Sequence, residues 1–262
     1  MNSVEQPPIV IEQAITPTDF ANAILGPDAS AETRAALVDT APALLARTLR
    51  SFLVPTHQPV IKLLYQSGEP LPSGVEYLVD RALERVCAVL GLNTQPDGAR
   101  SRLRLRFMSG AKGKEFHRNR DDSTNAVLLL EGEEDWHFLP SVPAVDAIFS
   151  AVDDPKHCGF RSEHFNSDLP TPALFDRLHG LLDEAGETHR IETFTIKAGD
   201  VLVFNGHWWH ATRHVSPALT NLQIALNGDE VNQRPMKQAG QTLLRPQGKY
   251  TAMLWPAKYV KG

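Results

Sequence analysis

The chain has 262 residues, enough to bury a substantial core, and its 42% hydrophobic and 22% charged content belongs to a globular protein, which argues against a disordered or membrane-embedded one. A formal net charge of -5 offers no clustered positive field for nucleic acid, and no apolar run approaches the roughly 18 residues that span a bilayer. Two cysteines, Cys87 and Cys158, do not make a disulfide framework, and residues 1–8 lack the basic and apolar regions of a signal peptide, so the expectation is a cytoplasmic protein.

In chain order, Ile9–Ile11 reads as a short strand. Thr16-Pro17 then supplies a cap and a proline at the first helical position, with Gly26 as the stop. Helical periodicity runs over residues 31–53, with Pro42 marking a break, and again over residues 75–90 before Gly91. Residues 1–100 are therefore expected to be a mostly helical elaboration. Strands are expected from residue 102, where Arg102, Arg104 and Arg106 alternate with Leu103, Leu105 and Phe107 at the period of two that turns one face into a core. Gly110 and Gly113 flank a turn, residues 115–120 extend again, residues 125–130 form an apolar run ended by Glu131-Gly132, and residues 136–139 resume a strand. Residues 141–190 are polar and rich in Pro and Asp, and read as an insertion holding a helix at 171–185. Strand character returns at residues 191–196, 201–204 and 219–226. The core is expected at 101–230, with 231–262, including Trp255 and Tyr259, as a tail on the core or at an oligomer contact; a homodimer is left open. The class is α+β with a mainly β core and an N-terminal helical region.

The most informative stretch is Gly199 to His210. Gly199-Asp200 is a turn signal, residues 201–204 an apolar strand, and Asn205-Gly206 a second turn that leads to His207-Trp208-Trp209-His210. A histidine held by such a scaffold suits a metal ligand. The earlier segment Phe116-His117-Arg118-Asn119-Arg120-Asp121-Asp122 supplies a second imidazole with carboxylates nearby. Two histidines and a carboxylate, with other coordination positions left open, make the facial triad of non-haem Fe(II) oxygenases. Against these stand plainer readings: His210 as a hydrogen-bonded core residue, Asp121 as a turn residue, Trp208 and Trp209 as packing, His207 and His214 as exposed or supporting histidines, and the alternating arginines as a solvated strand face.

These residues resemble the Jumonji C and cupin-like branch of the Fe(II)/2-oxoglutarate oxygenases. In that family the first metal histidine is followed by an apolar strand, a Gly, a Trp and a Pro, here His117, residues 125–130, Gly132, Trp136 and Pro140. Its later Gly-Asp and Trp-Trp-His stretches match Gly199-Asp200 and Trp208-Trp209-His210. The resemblance implies a double-stranded β-helix (a jelly-roll or cupin barrel), Fe(II) held by His117 and His210, 2-oxoglutarate as co-substrate, and hydroxylation of a C–H bond. Two departures bear on the site. The family's carboxylate, two residues after the first histidine, is Asn119 here, and an amide brings no negative charge to the cation. In an extended strand 117, 119 and 121 share a face, which favours Asp121 over Asp122 as the third ligand. The family's anchoring Lys, two residues after the strand-ending Gly, is Glu134, and the place where other branches carry an Arg offers Leu219, Thr220 and Asn221. Arg104, Arg106 and Arg213 are the candidate anchors for the co-substrate, since a guanidinium matches a carboxylate. The expected substrate is a small molecule, amino-acid-derived or carrier-linked. The alternatives are a cupin-type metal enzyme that does not use 2-oxoglutarate and a non-catalytic cupin-like binding module.

Overall fold

The computed structural model describes residues 7–53, 60–66, 71–93, 102–109, 113–118, 124–150, 172–226 and 242–244. They build two mainly antiparallel sheets covered by helices. The large sheet has the order β1-β8-β5-β10-β3-β2-β11, from β1 (Ile9–Ile11), β8 (Val201–Asn205), β5 (Thr124–Glu131), β10 (Ala218–Ala225), β3 (Arg102–Ser109), β2 (Val60–Gln66) and β11 (Thr242–Leu244). The small sheet is β4-β9-β6-β7, from β4 (Gly113–His117), β9 (Trp209–His214), β6 (Glu133–Leu139) and β7 (Glu192–Lys197). All pairings are antiparallel except that of β11 with β2.

Alternation along each strand sorts the side chains into three cores. The inward face of the large sheet sends Met108, Val127, Leu129 and Phe204 against Trp136, Phe138 and Ile196 of the small one. Its outward face, carrying Leu105, Phe107, Leu128 and Leu222, is covered by α1 (Pro17–Leu25), α3 (Ala41–Leu53) and α4 (Ser73–Leu90), among whose residues Phe20, Leu45, Leu78 and Leu83 are buried in the same cluster. The outer face of the small sheet, with Phe116, Leu139 and Trp209, lies under α5 (Pro143–Ser150) and α6 (Pro172–Glu184). The order of layers is helices, large sheet, small sheet, helices.

Helix α1 starts as the sequence reads: the Thr16 hydroxyl accepts from the Asp19 backbone, the Asp19 carboxylate accepts from the Thr16 backbone, and Pro17 opens the first turn. The periodic stretch 31–53 is two helices, α2 (Ala31–Leu37) and α3, and the break falls before Pro42. Pro42 lies in the first turn of α3, where its missing N–H costs no intrahelical bond. Strands also begin earlier than residue 102. Between the helices, β2 pairs with β3 from Val60↔Met108 to Gln66↔Arg102, which makes a part of the N-terminal hundred residues an inner strand of the large sheet. The segment Val60-Ile61-Lys62-Leu63-Leu64-Tyr65-Gln66 lacks a clean period of two, so only the partner strand selects its extended form. The expected insertion holds α5 as well as α6. Cys158, Trp255 and Tyr259 lie outside the described residues.

Candidate metal and anion site

The pairing of β4 with β9 places His117 directly opposite His210. Their ring centroids are 4.2 Å apart with an interplanar angle of 54°. The loop into β9 is a tight turn: Trp208 N–H donates to the Asn205 carbonyl, and the Asn205 side chain accepts from His207 N–H. His210 thus stands at the start of a strand and not in the turn itself. The Trp208 carbonyl lies 2.8 Å from His210 Nδ1, so that nitrogen carries the proton and Nε2 keeps its lone pair, the tautomer a metal requires. Burial lowers the His210 pKa to about 3, with the fields of Lys114 and Arg106 adding to the shift and the bond to Trp208 opposing it. The imidazole is therefore neutral at physiological pH. Trp136, Phe138 and Phe204 surround it, with ring centroids 6.0, 6.0 and 4.9 Å from its own.

Further along the inward face lies a buried polar cluster. Glu134 of β6 is 2% exposed. Its Oε2 accepts from Trp136 Nε1 at 3.0 Å and from Asn221 Nδ2 at 3.4 Å, Thr212 donates to the same carboxylate, and Oε1 is 3.5 Å from His214 Nε2. Asn221 Oδ1 in turn accepts from Arg106 Nε of the neighbouring strand at 2.8 Å, so that Asn221 links Arg106 of the large sheet to Glu134 of the small one. Burial raises the Glu134 pKa to about 7; Arg106 and the three hydrogen bonds pull the other way. Burial likewise lowers the pKa of Arg106, opposed by attraction to Glu134. Arg106 Nη2 is enclosed and has no hydrogen-bond partner.

The structure brings some of the sequence-derived candidates together and separates others. His117 and His210 adjoin, and Arg106 lies between the sheets close enough to act on His210. This corrects the reading of the alternating arginines as a solvated strand face, at least for Arg106. Arg104 is on the same face of β3, opposite Gln223, whose amide donates to Asn125. Arg213 is not part of this assembly: it alternates to the exposed side of β9, facing away from His210, Thr212 and His214. Asn119, Asp121 and Asp122 lie outside the described residues, and among the described residues no cluster of three or more His, Cys, Asp or Glu is placed to hold a metal. Lys114, opposite Thr212, and the polar pair Thr212 and Asn221 are functional candidates that sequence reasoning passed over. The signal available for Asn221 was a polar residue on the same strand face as Leu219, in a strand whose Leu222 and Ile224 mark the opposite face as core.

Among the described residues no helix is long and apolar enough to cross a membrane. No protein-family model matches the chain, and no curated protein matches it. Among solved structures, oxalate decarboxylase from Bacillus subtilis aligns at 11% identity with a TM-score of 0.27, over 48% of this chain. This chain spans about a fifth of that one, 21% of its length, and at this TM-score the likeness carries no argument about chemistry.

Proposed function

We propose that this chain is a non-haem Fe(II)- and 2-oxoglutarate-dependent oxygenase on a double-stranded β-helix, acting on a small molecule. The observation that carries the reading is the cross-strand pair His117 and His210, with His210 neutral and its Nε2 presented by a bond from Nδ1 to a carbonyl. Support for the barrel comes from the strand order. From β3 to β6 successive strands alternate between the sheets, and β8, β9 and β10 then return to pair beside them, as in a jelly roll. The residues fit ferrous iron in that two imidazoles adjoin, and Asp121 is the proposed third ligand. They fit a carboxylate in that the buried Arg106 guanidinium has one nitrogen without an acceptor. With iron and the keto acid bound, the group would supply the oxidising power for C–H hydroxylation. The chain's own part is to hold His210 in one tautomer, donate from Arg106 to the distal carboxylate, and keep water from the site with Trp136, Phe138 and Phe204. The acidic balance and the helical cover over the large sheet favour a small substrate, amino-acid-derived or carrier-linked.

Glu134 favours a second reading, a cupin-type metal enzyme that does not use 2-oxoglutarate. Its carboxylate already shares the cluster with Arg106 and would oppose a second one. Anaerobic titration with Fe(II) and then 2-oxoglutarate separates the two. A visible charge-transfer band on adding the keto acid supports the oxygenase. Stoichiometric iron with no response to millimolar 2-oxoglutarate supports the second reading, and no iron binding leaves a non-catalytic module. In the first two cases Asp121→Ala should weaken iron binding more than Asp122→Ala.

A further inference from the structure

The two histidines face the space between the sheets, and the side chain next to each on the outward face is held by one carboxylate. Asp146 of α5 accepts from Trp209 Nε1 at 2.7 Å through Oδ1 and from Arg118 Nη1 at 3.1 Å through Oδ2. Trp209 precedes His210 in β9, and Arg118 follows His117 where β4 ends. Successive side chains of a strand take opposite faces, so tying Arg118 and Trp209 on the outside fixes the backbone from which both imidazoles project on the inside. The tie is braced. Ser141 donates to both oxygens of Asp146, at 2.8 and 3.0 Å, and accepts from Arg118 Nη1 at 2.9 Å. The Arg118 guanidinium lies 5.1 Å over the Trp209 ring, and Phe149, one turn along α5 from Asp146, stacks on the same indole at 4.3 Å.

The backbone ladder leaves this task open. From Lys114↔Thr212 to His117↔His210 it advances three residues on β4 and two on β9, a bulge beside the histidine pair. His117 is also the last residue of β4. A disrupted ladder that ends at the histidine holds it loosely by itself. We propose that Asp146 is a positioning residue: by binding the outward neighbours of His117 and His210 at once, it sets the separation of the two imidazoles. It touches neither ring. The consequence for iron rests on the proposed function, whereas the separation of the rings does not.

The test has a metal-free and a metal-loaded reading. With ring centroids 4.2 Å apart, the His117 and His210 imidazoles of the metal-free protein should show a strong nuclear Overhauser effect between their ring protons. Asp146→Ala should weaken that signal and, in anaerobic titration, weaken Fe(II) binding by about tenfold with the stoichiometry unchanged. Asp146→Asn keeps an oxygen for Trp209 but loses the charge that pairs with Arg118, and should fall between the two. Leu182→Ala, on α6 in the same outer core, is the control: it should cost stability and leave both the signal and the iron affinity as in wild type. Absence of the ring-to-ring signal from wild type, or its persistence unchanged in Asp146→Ala, would overturn the proposal. So would equal losses in Asp146→Ala and Leu182→Ala, since general loosening makes no distinction between them. If wild type binds no iron, the metal reading of the pair fails, and the ring-to-ring signal alone decides the role of Asp146. Should Asp146→Ala fail to fold, Arg118→Met removes one arm at a partly exposed position, and an unchanged signal there overturns the proposal.

Discussion

Removing water disfavours the charged form of any group, and the same cause therefore acts in opposite directions on Glu134 and His210. The Glu134 carboxyl rises from 4.5 to about 7, so the folded state holds its proton more tightly than the unfolded one. That contribution to stability is fully present below pH 4.5 and is lost as the pH climbs to about 7. His210 falls from 6.5 to about 3; its contribution is present above pH 6.5 and is lost as the pH drops towards 3. The wild-type curve is a sum of opposed slopes, and a single substitution isolates one of them. The difference in stability between wild type and Glu134→Gln should change across pH 4.5 to 7, by on the order of 3 kcal/mol, and be flat outside that window. Denaturant melts at a series of pH values measure it, and a difference independent of pH would mean that Glu134 titrates alike in the folded and unfolded states. Replacing His117 or His210 by Ala should abolish stoichiometric Fe(II) binding while the far-ultraviolet circular dichroism is unchanged. On the proposed reading the imidazoles would hold the metal, whereas the surrounding aromatic and aliphatic side chains hold the fold. Full iron content in both variants would remove the metal assignment.

At the scale of the element, the histidine pair depends on how closely β4 approaches β9. Gly113 faces Arg213 across the ladder, and a Cβ there would land on the Thr212 carbonyl oxygen, a backbone atom that cannot turn aside. Gly113→Ala should therefore push the two strands apart, costing about 2 kcal/mol and weakening iron about tenfold although no ligand is touched. Gly180, inside α6, is the control, since a Cβ there meets nothing within 4 Å. Gly180→Ala should gain about 0.5–1 kcal/mol with iron affinity unchanged. Equal effects from the two substitutions would mean that strand separation does not govern the site. The turn before β8 shows a different constraint: Gly199 has φ +97, and its carbonyl accepts from Ile15 N–H while the Asp200 carboxylate accepts from Gln13 and Lys197. This turn thereby ties the N-terminal segment to the strand that leads to His210.

For the whole molecule, the decisive feature is that α1, α3 and α4 share one core with the outward face of the large sheet, whose inward face lines the candidate site. Unfolding the helices exposes the sheet's apolar face, so the two should melt together. Far-ultraviolet dichroism, dominated by helix, and near-ultraviolet signals from the intersheet tryptophans should follow one transition; a separate early loss of helix would show an independent helical unit. Phe20→Ala, at the centre of the shared core with 1% exposure, should lower both together by about 3–5 kcal/mol.

Local chemistry is legible in the sequence because it acts over a few residues. The Thr16-Pro17 start of α1, the Gly199-Asp200 turn, the alternation of β3 and the bounds of α6 depend on capping, backbone freedom and periodicity, which neighbours along the chain decide. The Trp-Trp-His and Phe-His segments stand out as candidates for the same reason. What tertiary structure alone decided depends on partners distant in sequence. The segment that forms β2 has no strong preference until β3 lies beside it. Arg106 and Arg213 look alike as isolated cations, and only strand pairing turns one between the sheets and the other to solvent. Glu134 reads in the sequence as a charge that repels an anion. In the fold it is a carboxyl with a pKa of about 7, enclosed by Trp136, Asn221, Thr212 and Arg106, because those partners come from four strands that the two sheets bring together.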